Sequence, residues 1–189
     1  MPPKAKYQRE QIVDAAYEMV RKYGQEMLSA RTLAAELGCS TAPIFTVFES
    51  IEQVRGAVME RAYALYSSYF EEGCRMMPPF KGIGLKYVQF AKDEPELFKL
   101  LFMQTGDGTE FPTRYLPSTD PKEHEVLQTI EGSYNMGTPG AQKIYNHLSI
   151  YTHGLAVLFA QKRCVFTMED VSRLLSELFE ALREEKSDE

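Results

Sequence analysis

Residues 29–48, SARTLAAELGCSTAPIFTVF, hold the side chains whose types and spacing point most directly to a chemistry. Arg31 and Thr32 stand at the start of one short predicted helix, and Thr41, Ala42, Pro43, Phe45 and Thr46 on the next. Arginine and threonine hydrogen-bond to phosphate oxygens and base edges, while small apolar and aromatic side chains pack on thymine methyls. The second helix carries no Arg, Lys, Asn or Gln, the side chains that read base edges bidentately, so reading there falls to hydroxyls and apolar surface. Lys4 and Lys6, with Arg9 close behind, form a basic arm suited to a phosphate backbone.

The elements that must position these groups are legible in the same stretch. Ser29 is placed to cap the first helix and Ser40 the second, each offering a side-chain oxygen to backbone N–H groups without a helical partner. Gly38 falls where the first helix ends, a position that favours a left-handed residue. Leu33, Ala34 and Leu37 share one helical face, and Ile44, Phe45 and Phe48 another. A small residue at a helix crossing, a glycine in the turn and an apolar anchor on the second helix predict a helix-turn-helix, its second helix offered to a DNA major groove.

Further elements follow in order. Ile12, Ala16, Met19, Val20 and Tyr23 recur at helical spacing over 8–23, closed by Gly24. A long helix is predicted over about 51–76, with Val54, Val58, Ala62, Leu65 and Tyr69 on one stripe. No Pro- or Gly-rich linker separates it from Phe48, so a rigid joint between an N-terminal head and the remainder is expected. Pro78 and Pro79 break it, and residues 81–93 resume with Ile83, Tyr87, Phe90 and Ala91 on one face. Pro95 can open a short helix that is apolar nearly all round, which argues burial. Residues 105–119 read as a loop, and Asp120 as the cap of a helix running to Tyr134. After a break over 135–140, helices are predicted over about 141–162 and 168–185. No strand alternation or internal repeat is visible. The expected fold is all-α, with about nine helices: a three-helix head over 1–50 and a helical domain over 51–189.

Bulk properties set limits. The chain has 189 residues, 44% of them hydrophobic, which suffices for a substantial core. No apolar run approaches the ~18 residues that suggest a membrane span, and the N-terminus lacks the apolar segment of a secretory signal. Cys39, Cys74 and Cys164 are odd in number and widely spaced, and read as free thiols in a reducing cytoplasm. The net charge is −6, yet residues 1–50 carry six basic and six acidic side chains, so the acidic excess lies beyond the head. A neutral head suits DNA only if its cations cluster, as Lys4, Lys6 and Arg9 do.

By these residues the chain resembles the TetR family of bacterial repressors. The head segment TLAAELGCSTAPIFTVF carries the resemblance most specifically. FAKDEPELFKLLFM and YTHGLAVLF resemble a subfamily with a C-terminal Trp-His-Gly motif, of which His153 and Gly154 match and the Trp is absent. Phe45 stands where the family usually has a phosphate-bonding Tyr, and Ile51 where it usually has Lys. Both differences remove a polar contact to DNA and imply weaker or more salt-sensitive binding. The resemblance implies a homodimer on a pseudo-palindromic double-stranded operator, released by a small apolar or amphipathic effector.

Tyr87, Phe98, Phe102, Met103, Tyr134, Tyr151 and His153 are the residues expected to line an effector cavity, each also suited to ordinary core packing. Leu155, Leu158, Phe159, Leu174, Leu178 and Leu182 are expected to pair the last two helices with those of a second subunit in a four-helix bundle. His147 and His153 are six apart and lack the i, i+4 spacing that chelates, so no metal or cofactor is expected. No nucleophile–base pair, phosphate-cradling glycine loop or paired-carboxylate motif is apparent, which argues against an enzyme. Two readings stand: a ligand-responsive DNA-binding repressor, and a small-molecule-binding dimer with a degenerate head.

Overall fold

The computed structural model describes residues 7–103, 121–135 and 137–184. Among them the regular structure is helical, with nine α-helices and one short 3-10 turn. The predicted loop over 105–119 and the capping Asp120 lie outside the described residues. No helix among the described residues is long and apolar enough to cross a membrane. The chain divides into two compact units, Met1–Leu65 with Glu96–Gln104, and Tyr66–Pro95 with Thr105–Glu189. The division falls inside one continuous helix, Ile51–Cys74.

In the first unit, α1 (Arg9–Tyr23) opens where the Gln8 N–H donates to Gln11 Oε1 (2.9 Å). It buries Ile12, Val13, Ala16, Tyr17, Met19 and Val20 and stops at Gly24, whose φ of +90° favours glycine. The 3-10 turn Gln25–Met27 leads into α2 (Ala30–Glu36). α3 follows as a single turn, Ala42–Phe45. α4 (Ile51–Cys74) begins in this unit, with Val54, Val58 and Ala62 buried. Its Arg55 donates to the Leu28 carbonyl (2.7 Å), and its Arg61 pairs with Asp14 and lies 4.6 Å from the Tyr17 ring centre. These contacts explain why the first half of α4 clusters with α1–α3. α6 (Pro95–Phe102) belongs here as well and buries Leu97, Phe98, Leu100 and Leu101, as its all-round apolar pattern requires.

The second unit holds the C-terminal part of α4, then α5 (Pro79–Asp93), α7 (Pro121–Tyr134), α8 (Thr138–Ala160) and α9 (Met168–Glu184). α5 packs on α7, α8 and α9, and α8 on α7 and α9. α8 starts earlier than the expected break over 135–140 allows. Thr138 is already helical, and Pro139 fits the first turn, where a missing N–H costs nothing. α4 and α5 approach closely at two glycines. A Cβ on Gly73 would lie 2.7 Å from Ile83 Cα, and one on Gly82 would lie 2.5 Å from Met76 Cβ and closer still to the Gly73 carbonyl.

Candidate nucleic-acid interface and ligand cavity

The α2–turn–α3 segment is built by local hydrogen bonding. Ser29 Oγ accepts from the Thr32 N–H (3.2 Å), and Thr32 Oγ1 accepts from the Ser29 N–H (2.9 Å), a reciprocal cap. At the other end the Cys39 N–H donates to Ala34 O (2.9 Å) and the Gly38 N–H to Ala35 O (3.1 Å), with Gly38 at φ +63°. That is a Schellman motif, and it sets the turn between the two helices. Leu33, Ala34, Ile44 and Phe48 are buried beneath the turn, with Leu33 and Ile44 fully inaccessible. The Tyr7 hydroxyl donates to the Leu37 carbonyl and fixes the end of the N-terminal arm beside the turn. Lys4 and Lys6 lie outside the described residues.

The outward groups differ in part from the sequence expectation. Ser40 does not cap α3. Thr41 occupies the cap with helical backbone angles and makes no side-chain cap bond, because α3 opens directly from the turn. Arg31, Ala42, Phe45 and Thr46 are exposed, Phe45 at 46%, while Thr41 and Pro43 are half-buried. Thr32, placed by sequence for phosphate, donates its hydroxyl to Met27 O (2.6 Å). Thr46 donates its hydroxyl back to Ala42 O (3.0 Å), which leaves its lone pairs to accept. The outward surface therefore offers the Arg31 guanidinium, an accepting hydroxyl at Thr46, and apolar area on Ala42 and Phe45.

The second unit contains a cavity of about 340 Å³. Its wall comes from α4 (Tyr66, Phe70), the start of α5 (Phe80, Lys81, Ile83, Gly84, Tyr87), α7 (Val126, Tyr134), α8 (Tyr145, Leu148, Ser149, Thr152) and α9 (Leu175, Ser176, Phe179, Glu180). Of the residues expected to line it, Tyr87 and Tyr134 do. Phe98, Phe102 and Met103 do not, because α6 belongs to the first unit, where Phe98 and Phe102 stack on each other at 5.2 Å. Tyr151 points outward at 36% exposure. His153 stands behind the wall, its Nδ1 3.0 Å from the Tyr87 hydroxyl. Burial lowers its pKa below the ordinary 6.5, so the ring is neutral at pH 7.

Sequence reasoning missed Tyr66, Phe70, Phe80, Tyr145 and Phe179. Each sits on a helical apolar stripe that reads equally well as solid core, and only the spacing between helices leaves a void in front of them. Tyr134 and Phe179 stack at 4.4 Å, with the Arg183 guanidinium 6.0 and 5.7 Å from their centres. Burial, then the Glu180 charge, raises the Tyr134 pKa, so its hydroxyl stays protonated. Arg183 also pairs with Glu180 at 3.3 Å.

The residues expected to pair subunits divide between two faces. Leu155, Phe159 and Leu182 are buried within the chain and are not surface groups. Leu158 is exposed at 40%, and Leu174 and Leu178 are half-buried. Ile150 (70% exposed) and Tyr151 share the outward face of α8 with Leu158. α8 is apolar on both sides, so its pattern alone does not tell the inner stripe from the outer.

No protein-family model matches the chain, and no curated protein matches it.

Proposed function

We propose that this chain is a ligand-responsive DNA-binding transcriptional regulator of the TetR type, a cytoplasmic homodimer that represses from a pseudo-palindromic operator. The α2–turn–α3 geometry carries the reading. A reciprocal cap, a left-handed Gly38 and the buried anchor Ile44 together present Ala42, Phe45 and Thr46 outward beside Arg31. Such a unit places a short helix in the major groove, and two copies would meet half-sites about one helical turn, ~34 Å, apart. The exposed Ile150, Tyr151 and Leu158 of α8 and the half-buried Leu174 and Leu178 of α9 supply the apolar area for the subunit pair.

The cavity supplies the effector site. Its wall includes Tyr66 and Phe70 of α4, the same helix whose Arg55 and Arg61 are tied into the first unit. A ligand that binds one subunit arrangement better than another shifts DNA affinity by that difference and no more. Fluorescence anisotropy with the promoter DNA beside its own coding region tests the reading. Saturable, salt-dependent binding is expected, lost in Thr46→Glu, which puts a negative charge on the outward face. Absence of such binding at low micromolar protein refutes it.

A second reading, a small-molecule-binding dimer with a degenerate head, is favoured by one observation. α3 is a single turn without a bidentate base-reading side chain, and the Thr32 and Thr46 hydroxyl protons are bonded to backbone. Under that reading target-gene regulation survives Thr46→Glu.

A further inference from the structure

We propose that the cavity of the second unit takes an amphipathic monoanion, a single carboxylate-like head on an aromatic or aliphatic body, with the head on the Lys81 ammonium. The inference rests on the reading of this cavity as the effector site and adds the charge of what enters it.

Among the described residues, the ionised side chains on the wall are Lys81 and Glu180. They are not equivalent. Glu180 is already held by Arg183 at 3.3 Å. Lys81 is half-buried, and no carboxylate among the described residues stands within ion-pair distance of it. Arg183 offsets Glu180, so of these three charges the Lys81 ammonium is the one left without a counter-charge among the described residues. His153 behind Tyr87 is neutral at pH 7, and among the described residues the wall contains no Asp.

The rest of the wall is aromatic and aliphatic with scattered hydroxyls. That environment suits an apolar body and offers an anion no polar counterpart as strong as the ammonium. A cationic ligand would meet Lys81 uncompensated, with Glu180, the one wall carboxylate among the described residues, already taken. A dianion would leave one charge unpaired among the aromatic side chains, which is costly.

The test uses two dyes with the same ring system: anilinonaphthalene sulfonate, which is anionic, and N-phenylnaphthylamine, which is neutral. Both are titrated into the full chain by fluorescence. The anionic dye is expected to bind about fivefold more tightly, equivalent to about 1 kcal/mol, with the preference shrinking as salt is raised. Lys81→Met keeps the side-chain length and should bring the two dyes to parity without changing the neutral one more than about twofold. Displacement of the neutral dye by decanoate and by decanol makes the same comparison without a substitution, and decanoate should compete better.

Equal or tighter binding of the neutral dye, an unchanged ratio in Lys81→Met, or decanol as the better competitor overturns the proposal and leaves the effector-site reading intact. If neither dye binds saturably, or if a folded Ser149→Trp that fills the cavity changes neither, the effector-site reading falls with it.

Discussion

Alanine at Gly82 and alanine at Gly84 should move stability in opposite directions, although the two sites lie two residues apart in α5. In an ordinary helix, glycine to alanine stabilises by about 0.5–1 kcal/mol, because alanine loses less backbone entropy on folding. Gly84 follows that rule. Its added Cβ meets Leu175 Cδ1 at 3.4 Å and Thr152 Oγ1 at 3.8 Å, ordinary contact distances. Gly82 cannot. Its Cβ would lie 2.5 Å from Met76 Cβ and closer still to the Gly73 carbonyl, a backbone atom with no rotamer to escape into.

The end of α4 would have to separate from α5 in Gly82→Ala. Overpacking of that kind costs about 1–3 kcal/mol, and the helix gain offsets part of it. We expect Gly82→Ala to lose about 1–2 kcal/mol and Gly84→Ala to gain about 0.5 kcal/mol or more. For a chain of this size that is a fall in Tm of roughly 2–8 °C against a rise of roughly 1–4 °C. Urea and thermal melts by far-UV circular dichroism read both. Gly56→Ala in α4, with nothing within 4 Å of its Cβ, is the control for a stabilising change. A Gly82→Ala protein as stable as wild type, or two α5 variants that shift alike, refutes the close-crossing argument. Tyr66, Phe70, Phe80 and Tyr87 flank this crossing on the cavity wall, so Gly82→Ala should also weaken dye binding.

Other outcomes follow from the same geometry. Ile44→Ala, at a fully inaccessible anchor, should cost about 2–5 kcal/mol and abolish DNA binding, checked by denaturant melts and anisotropy. Phe45→Tyr adds a hydroxyl at an exposed position of the proposed reading helix. It should tighten promoter DNA binding about threefold to tenfold, one net hydrogen bond, and a loss of affinity would count against the assigned face. Arg31→Ala should reduce the slope of log affinity against log salt by about 1. His153 has a folded pKa below its ordinary 6.5, so between the two values the unfolded chain binds the extra proton. Its contribution is intact above pH 6.5 and lost as pH falls through the folded pKa, and His153→Gln should flatten that part of the stability–pH curve.

The first unit's turn is written in neighbouring residues. Ser29 and Thr32 cap each other across one turn, and Gly38 takes the left-handed position its missing Cβ allows, so both follow from chain-local hydrogen bonding and sterics. The helix order and the all-α class are legible for the same reason: a 3.6-residue apolar stripe and a Pro or Gly stop are properties of ten to twenty consecutive residues. The sequence places the cap of α3 at Ser40, one residue before Thr41, since several cap-forming types stand together there and only the backbone angles choose between them.

The sequence alone determined where helices begin, which faces are apolar and how the turn is closed, because each depends on atoms a few residues apart. Tertiary structure decided which apolar face meets which. α6 joined the first unit and took Phe98 and Phe102 with it. α8 turned Leu155 and Phe159 inward and Ile150 and Leu158 outward, and α9 brought Phe179 and Glu180 to the cavity. A stripe of leucines and phenylalanines lowers its free energy against any apolar partner, so the hydrophobic effect that buries it carries no address. The address comes from shape, such as the bare backbones of Gly73 and Gly82, which admit α5 against α4 at a distance no other residue pair would allow.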